Sequence, residues 1–226
     1  MILFFLAFFL PGYIAQAAGG PGGAPSTSLL LQSVVAGLPQ FLLMAYVVGV
    51  RGPASSPRWG FVRLERHDVL RVAFLVAACF LLIAPIGAMT ALLPKRLSSA
   101  LVAGYRWGLQ SYWQIPIALL FGLTAGYREE FFFRSYLLGR LEEMSVPVPV
   151  AVAMSVALFC VGHLYEGALG LAVAAVLGTM LSLAYIRTRN IHVVAIAHGF
   201  YNTLALSLSL VLPRELPGAL GMGIFH

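Results

Sequence analysis

Charge is what this sequence has least of. Asp, Glu, Lys and Arg make up 10% of the chain, against about 25% in an ordinary soluble domain. No such side chain precedes Arg51. Further stretches without one run over 72–94, 107–127, 144–165, 167–186 and 190–213. Each is long enough for a helix to cross a hydrocarbon core ~30 Å thick, which takes roughly 20 residues. A soluble globule would have to hide five or six such helices behind almost no polar surface, so that class is set aside. Cysteine is scarce too. Cys79 and Cys160 both lie mid-span in apolar surroundings and read as small buried hydrophobes, not as a disulfide or a metal pair. The net charge of +6 has no basic, aromatic-interleaved soluble segment behind it, and the arginines sit in short loops as membrane topology expects. Nucleic acid is therefore not expected as a partner; the lipid bilayer is. Internal repeats and low-complexity tracts are also missing, so residues 1–226 read as a single membrane domain.

The hydrophobic runs that are present predict an all-α fold. It is a polytopic membrane helix bundle of about seven transmembrane helices around a membrane-embedded polar site. The first helix is expected at about 2–17. A signal segment ending near Ala15-Gln16-Ala17 is the alternative, disfavoured because no basic residue precedes the apolar run. The Gly/Pro-rich stretch 18–27 breaks the chain. The second helix covers about 28–50, and a polar connection with an interfacial piece fills 51–71. The third helix covers about 72–93 with a bend at Pro85, and a more amphipathic connection spans 94–112. A long fourth helix starts near 113 and turns at Ser145-Val146-Pro147 into a fifth that reaches about 165. The last two helices cover about 168–186 and 190–212. Ten of the fourteen Lys and Arg residues fall in 51–71, 128–143 and 187–189, which places those stretches on the cytoplasmic side.

One charged stretch sits where charge is expensive. Arg128-Glu129-Glu130-Phe131-Phe132-Phe133-Arg134 lies inside a helical pattern that would be ~45 Å long from 113 to 143. Ionisable residues at membrane depth default to a functional site facing the bundle interior. Hairpin arithmetic brings Glu129 and His163 to similar depth, ~24–27 Å from the first turn. His198 and Asn202 lie on one face of the last helix, four residues apart. Glu130 and Arg134 are also four apart and positioned to neutralise each other. Glu129 has Phe133, not a cation, one turn along, so it reads as the base that deprotonates a water with His163. His198 and Asn202 offer donors for an oxyanion. The small-residue ridges Ala118/Gly122/Gly126 and Gly170/Ala174/Gly178/Ser182 mark close helix packing. His192 reads as an interhelical hydrogen-bond partner.

At these residues the sequence resembles the CPBP family of CAAX prenyl endopeptidases and bacteriocin-processing membrane proteins. The family's EExxxR, FxxxH and HxxxN motifs correspond to Glu129-Glu130…Arg134, Phe159…His163 and His198…Asn202, and the resemblance covers about 113–210. It implies a helical bundle with a site opening to the cytosol, in a bacterial cytoplasmic membrane. It implies hydrolysis of a peptide bond in a membrane-associated peptide or protein. Glu129 and His163 would activate water, His198 and Asn202 would stabilise the oxyanion, and Glu130 and Arg134 would support them. The same family carries a metalloprotease label, which leaves zinc held by Glu129, His163 and His198 as the alternative. The chain lacks HExxH and Asn is a poor zinc ligand, so a mechanism without a cofactor is preferred. A non-proteolytic interaction or bacteriocin-immunity protein is the alternative function. A proton-coupled transporter is disfavoured because no inverted repeat is visible. Oligomeric state is not legible.

Overall fold

The computed structural model describes residues 5, 6, 9, 10, 27–50, 59–102 and 108–211. Among them every regular element is a helix. The order is α1 (Thr27–Val50), α2 (Arg66–Ala91), α3 (Lys95–Val102), α4 (Ile115–Glu130), a π-helical segment (Phe131–Leu138), α5 (Gly139–Glu143), α6 (Val148–Val161), α7 (Gly167–Thr188) and α8 (Ile191–Ser207). Since α4, the π segment and α5 run on without a break, the described residues hold seven continuous helices, the number expected. The expected helix at 2–17 lies outside the described residues apart from Phe5, Leu6, Phe9 and Leu10. Residues 51–58 of the expected 51–71 connection lie outside them as well. Four helices are long and apolar enough to cross a membrane: Thr27–Val50, Arg66–Thr90, Leu164–Thr188 and Ile191–Leu210.

Local chemistry explains where the boundaries fall. The helix expected from 72 begins at Arg66, because Glu65 and Asp68 close a reciprocal capping box at its start. Asp68 is buried. It is held by Arg71 at 2.9 Å and by Asn190 at 3.4 Å, and Asn190 is itself the N-cap of α8. The start of α2 is thereby tied to the start of α8. Ser111 and Gln114 form a second capping box just before α4. Pro39 and Pro85 lie within α1 and α2 without ending them. The two hairpin turns fall where expected: Ser145 and Arg189 both adopt left-handed backbone, with φ of 58° and 49°. Within the expected 94–112 connection, Lys95–Val102 forms a short helix.

The expected continuous helix 113–143 is continuous, but it is wound as a π-helix over eight residues. All eight, Phe131 to Leu138, are buried. A run buried on every side has no lipid-facing stripe, so this segment is the axis of the bundle. Phe5 and Phe9 pack against Phe132, and Phe9 also against Phe133. Phe159 meets Phe133 edge-on at 5.2 Å. The peripheral helices show the opposite pattern. Val69, Leu70, Phe74 and Leu81 of α2 are largely exposed, as befits side chains whose solvent is lipid.

The most extensive helix packing is between α4 and α8. A Cβ on Gly122 would overlap the Gly199 carbonyl, and one on Gly126 would overlap the Ala195 carbonyl. From the other side, a Cβ on Gly199 would stand 2.9 Å from the Leu123 Cα. Here backbone lies on backbone, which small residues permit and larger ones prevent. The expected ridge of Ala118, Gly122 and Gly126 is this interface. It sets the distance between the carboxylates at the end of α4 and the histidine of α8.

Candidate active site

The charged stretch folds inward. Glu130 and Arg134 are both fully buried, and Arg134 Nη1 donates to Glu130 Oε1 at 2.9 Å. Arg134 Nη2 donates to the Gly178 carbonyl at 3.1 Å. Its guanidinium lies over the Phe159 ring, 4.6 Å from the centroid. Glu130 Oε1 also accepts from His198 Nδ1 at 2.8 Å. The supporting pair is present as expected, and it does a further job: it fixes the His198 ring. The ridge on α7 is buried throughout. At Gly178 the space where a Cβ would stand is bounded by Phe159 at 3.2 Å and Arg134 at 3.6 Å.

Glu129 is buried as well, but it is not without a cation. Arg128 Nη2 donates to Glu129 Oε1 at 2.8 Å, which corrects the expectation of an unpaired carboxylate. Neighbouring residues on a helix do not normally face each other. Here the long arginine curls back along α1, where Gly37 leaves room: a Cβ there would stand 3.7 Å from Arg128 Nη1. Glu129 also interacts electrostatically with His198 and His163. Three of the four expected reacting groups thus come from α4, the end of α6, and α8, with the two imidazoles meeting across the Phe159 ring. Asn202 sits one turn beyond His198 on α8, half-buried.

His163 differs from expectation in its setting. The helix expected to reach about 165 ends at Val161, with Gly162 as its cap. His163 starts a 3-10 turn, Leu164–Glu166. Its Nδ1 donates to the Phe159 carbonyl at 2.8 Å, since a carbonyl only accepts. Neutral His163 therefore keeps its Nε2 lone pair for a proton or a water. The helix α6 has 14 residues, or ~21 Å, too short for a hydrocarbon core of ~30 Å. Irregular backbone at such depth is tolerated where protein buries it or where it lines a wet cavity.

Phe159 joins the parts. It is fully buried, and its ring lies 4.4 Å from that of His163 and 6.0 Å from that of His198. With Arg134 over its face, it holds both imidazoles and the structural arginine in one frame. The first residue of FxxxH thus has a physical task that the sequence pattern alone did not reveal.

Residues 111–204 match the family model described as type II CAAX prenyl endopeptidase, Rce1-like. Over these residues the chain is similar to that family. The match agrees with the CPBP resemblance, and at family level it supports a hydrolase of the CAAX-type intramembrane protease class. With the four membrane-length helices, it marks the chain as an integral membrane protein. No curated protein and no solved structure matches the chain. All six expected site residues fall within the Rce1-like segment.

Two further features belong to the site. Among the described residues, no group of three or more His, Cys, Asp or Glu side chains is arranged to hold a metal ion, and both site histidines have Nδ1 committed. Glu166, on the turn after His163, interacts electrostatically with His163, Glu129 and His198. In the sequence it is only the break between the apolar runs 144–165 and 167–186; its position three residues after the FxxxH histidine is the available signal. His192 is the interhelical partner expected, bonded at 2.8 Å to Tyr127. Both cysteines are free.

Proposed function

We propose that the chain is an intramembrane endopeptidase that hydrolyses a peptide bond of a membrane-associated peptide with water activated by Glu129 and His163. The observation that carries this reading is the division of labour between adjacent glutamates. Glu130 is consumed by Arg134 and His198, while Glu129 stands beside two histidines with a single arginine to orient it. Glu129 takes a proton from a water whose position His163 Nε2 helps to set, and the hydroxide oxygen adds to the carbonyl carbon. The oxyanion is met by Asn202 and His198. Because His198 gives its Nδ1 proton to Glu130, it donates through Nε2 only as the imidazolium. When the C–N bond breaks, the proton on Glu129 passes to the departing amine. No step needs a metal; the site opens to the cytosol in this reading.

The test uses purified protein in lipid nanodiscs on prenylated and unprenylated peptide libraries, with and without chelator. The reading expects new peptide ends from wild type and none from Glu129→Gln. Folded wild type that cleaves nothing would overturn the peptidase assignment. Activity lost to chelator and restored by zinc would overturn the metal-free step. The prenylated and unprenylated arms decide whether the substrate is CAAX-like.

A further inference from the structure

Among the described residues, the carboxylates of the site are not all matched by a Lys or Arg. Glu130 is matched by Arg134 at 2.9 Å and Glu129 by Arg128 at 2.8 Å. Glu166 is half-buried and accepts a hydrogen bond from the neutral Tyr165 phenol at 3.0 Å. Among the described residues no Lys or Arg pairs with it. The carboxylate also has a bland occupation available: it directly precedes α7, where an acidic residue complements the positive end of a helix. Yet Glu166 makes no side-chain capping bond to that helix. The groups it interacts with are those of the site: His163, Tyr165, Glu129 and His198. Tyr165 ties it to the same place, since its ring stacks on His163 at 6.4 Å.

A carboxylate held in low-dielectric surroundings is stable as the anion only when a cation stands beside it, and otherwise takes up a proton. The histidines are the mobile charges of the proposed reaction and cannot serve as its permanent partner. Among the described residues no Lys or Arg supplies that cation, and a basic group on the substrate would.

We propose that Glu166 is a specificity-determining residue that selects peptides carrying a lysine, an arginine or a free amine beside the scissile bond. The inference rests on the peptidase reading above and names the substrate class of that site. The turn Leu164–Glu166 presents the carboxylate next to His163, so the cation lies within a residue or two of the bond that is cut. The neutral amide of glutamine would remove the attraction, and lysine would reverse it.

The test compares peptides of the library that differ at flanking positions only, with lysine, norleucine or glutamate, using full-length protein in nanodiscs. Wild type is expected to favour the lysine peptide over norleucine by about tenfold in kcat/KM, chiefly through KM. The ratio falls to about one in Glu166→Gln, survives in part in Glu166→Asp, and turns toward glutamate in Glu166→Lys. A wild-type ratio near one, or an unchanged ratio in Glu166→Gln, overturns the inference. Thermal unfolding of each variant separates a lost preference from a lost fold. Binding of the same peptides to Glu129→Gln and to Glu129→Gln/Glu166→Gln provides the second arm. Absent cleavage by wild type counts against the peptidase reading, whereas equal binding of lysine and norleucine peptides to Glu129→Gln counts against Glu166.

Discussion

One helical rod carries two sets of charges with opposite fates. In its middle, Glu130 and Arg134 have no exposed surface at all and share their bonds with α7 and α8. At its end, Glu142 pairs with Arg189 at 2.7 Å and Arg140 with Glu143 at 2.7 Å, in contact with solvent. The distances are alike; the surroundings are not. An exposed pair contributes between zero and about 1 kcal/mol. A buried pair gives weak evidence of net stability, but removing one partner strands the other. The rim staples α5 to the end of α7. The centre fixes the orientation of the His198 ring.

The largest expected effect comes from breaking the centre. Arg134→Ala leaves Glu130 buried and uncompensated, and should cost about 3–5 kcal/mol in stability, read as reduced resistance to unfolding in detergent. A loss below about 1 kcal/mol would erase the contrast. Next comes the spacing that the centre depends on. Gly126→Ala puts a methyl group against the Ala195 carbonyl and should cost about 1–3 kcal/mol. It should also slow cleavage, because α4 moves from α8 and Glu130 from His198. The smallest effect belongs to the rim. The Arg189 hydrogen bond holds the Glu142 carboxyl below the usual glutamate range. Its contribution is therefore present above the unfolded value, about 4.3, and is lost as pH falls through the folded one. With Glu142 60% exposed, Glu142→Gln should change stability by less than about 1 kcal/mol, with the difference vanishing in acid. An unfolding series over pH checks both the size and the sign.

The same contrast explains what could be read from the sequence. The apolar runs are long and interrupted by few charges, so helix number, both hairpin turns and the small-residue face of α4 were legible without coordinates. So was the Glu130–Arg134 pair, which depends only on helical spacing. What escaped depends on side chains leaving that spacing. Arg128 reaches its own neighbour by bending through the gap at Gly37. His163 leaves the helix because α6 stops at Val161. The π winding of Phe131–Leu138 has no periodic signature in a stretch buried on all sides, where every position is apolar or paired. Glu166 was hidden for a related reason: a single charge between two spans reads as a boundary until the turn is seen to start at His163.

The separation of roles between the two adjacent glutamates is tested most directly by the cleavage rate of Glu129→Gln, recorded with its unfolding temperature. The predicted result is an unfolding temperature close to wild type with cleavage reduced by about 100-fold or more. Cleavage retained at the wild-type rate in that folded variant would contradict the assignment of Glu129 as the base.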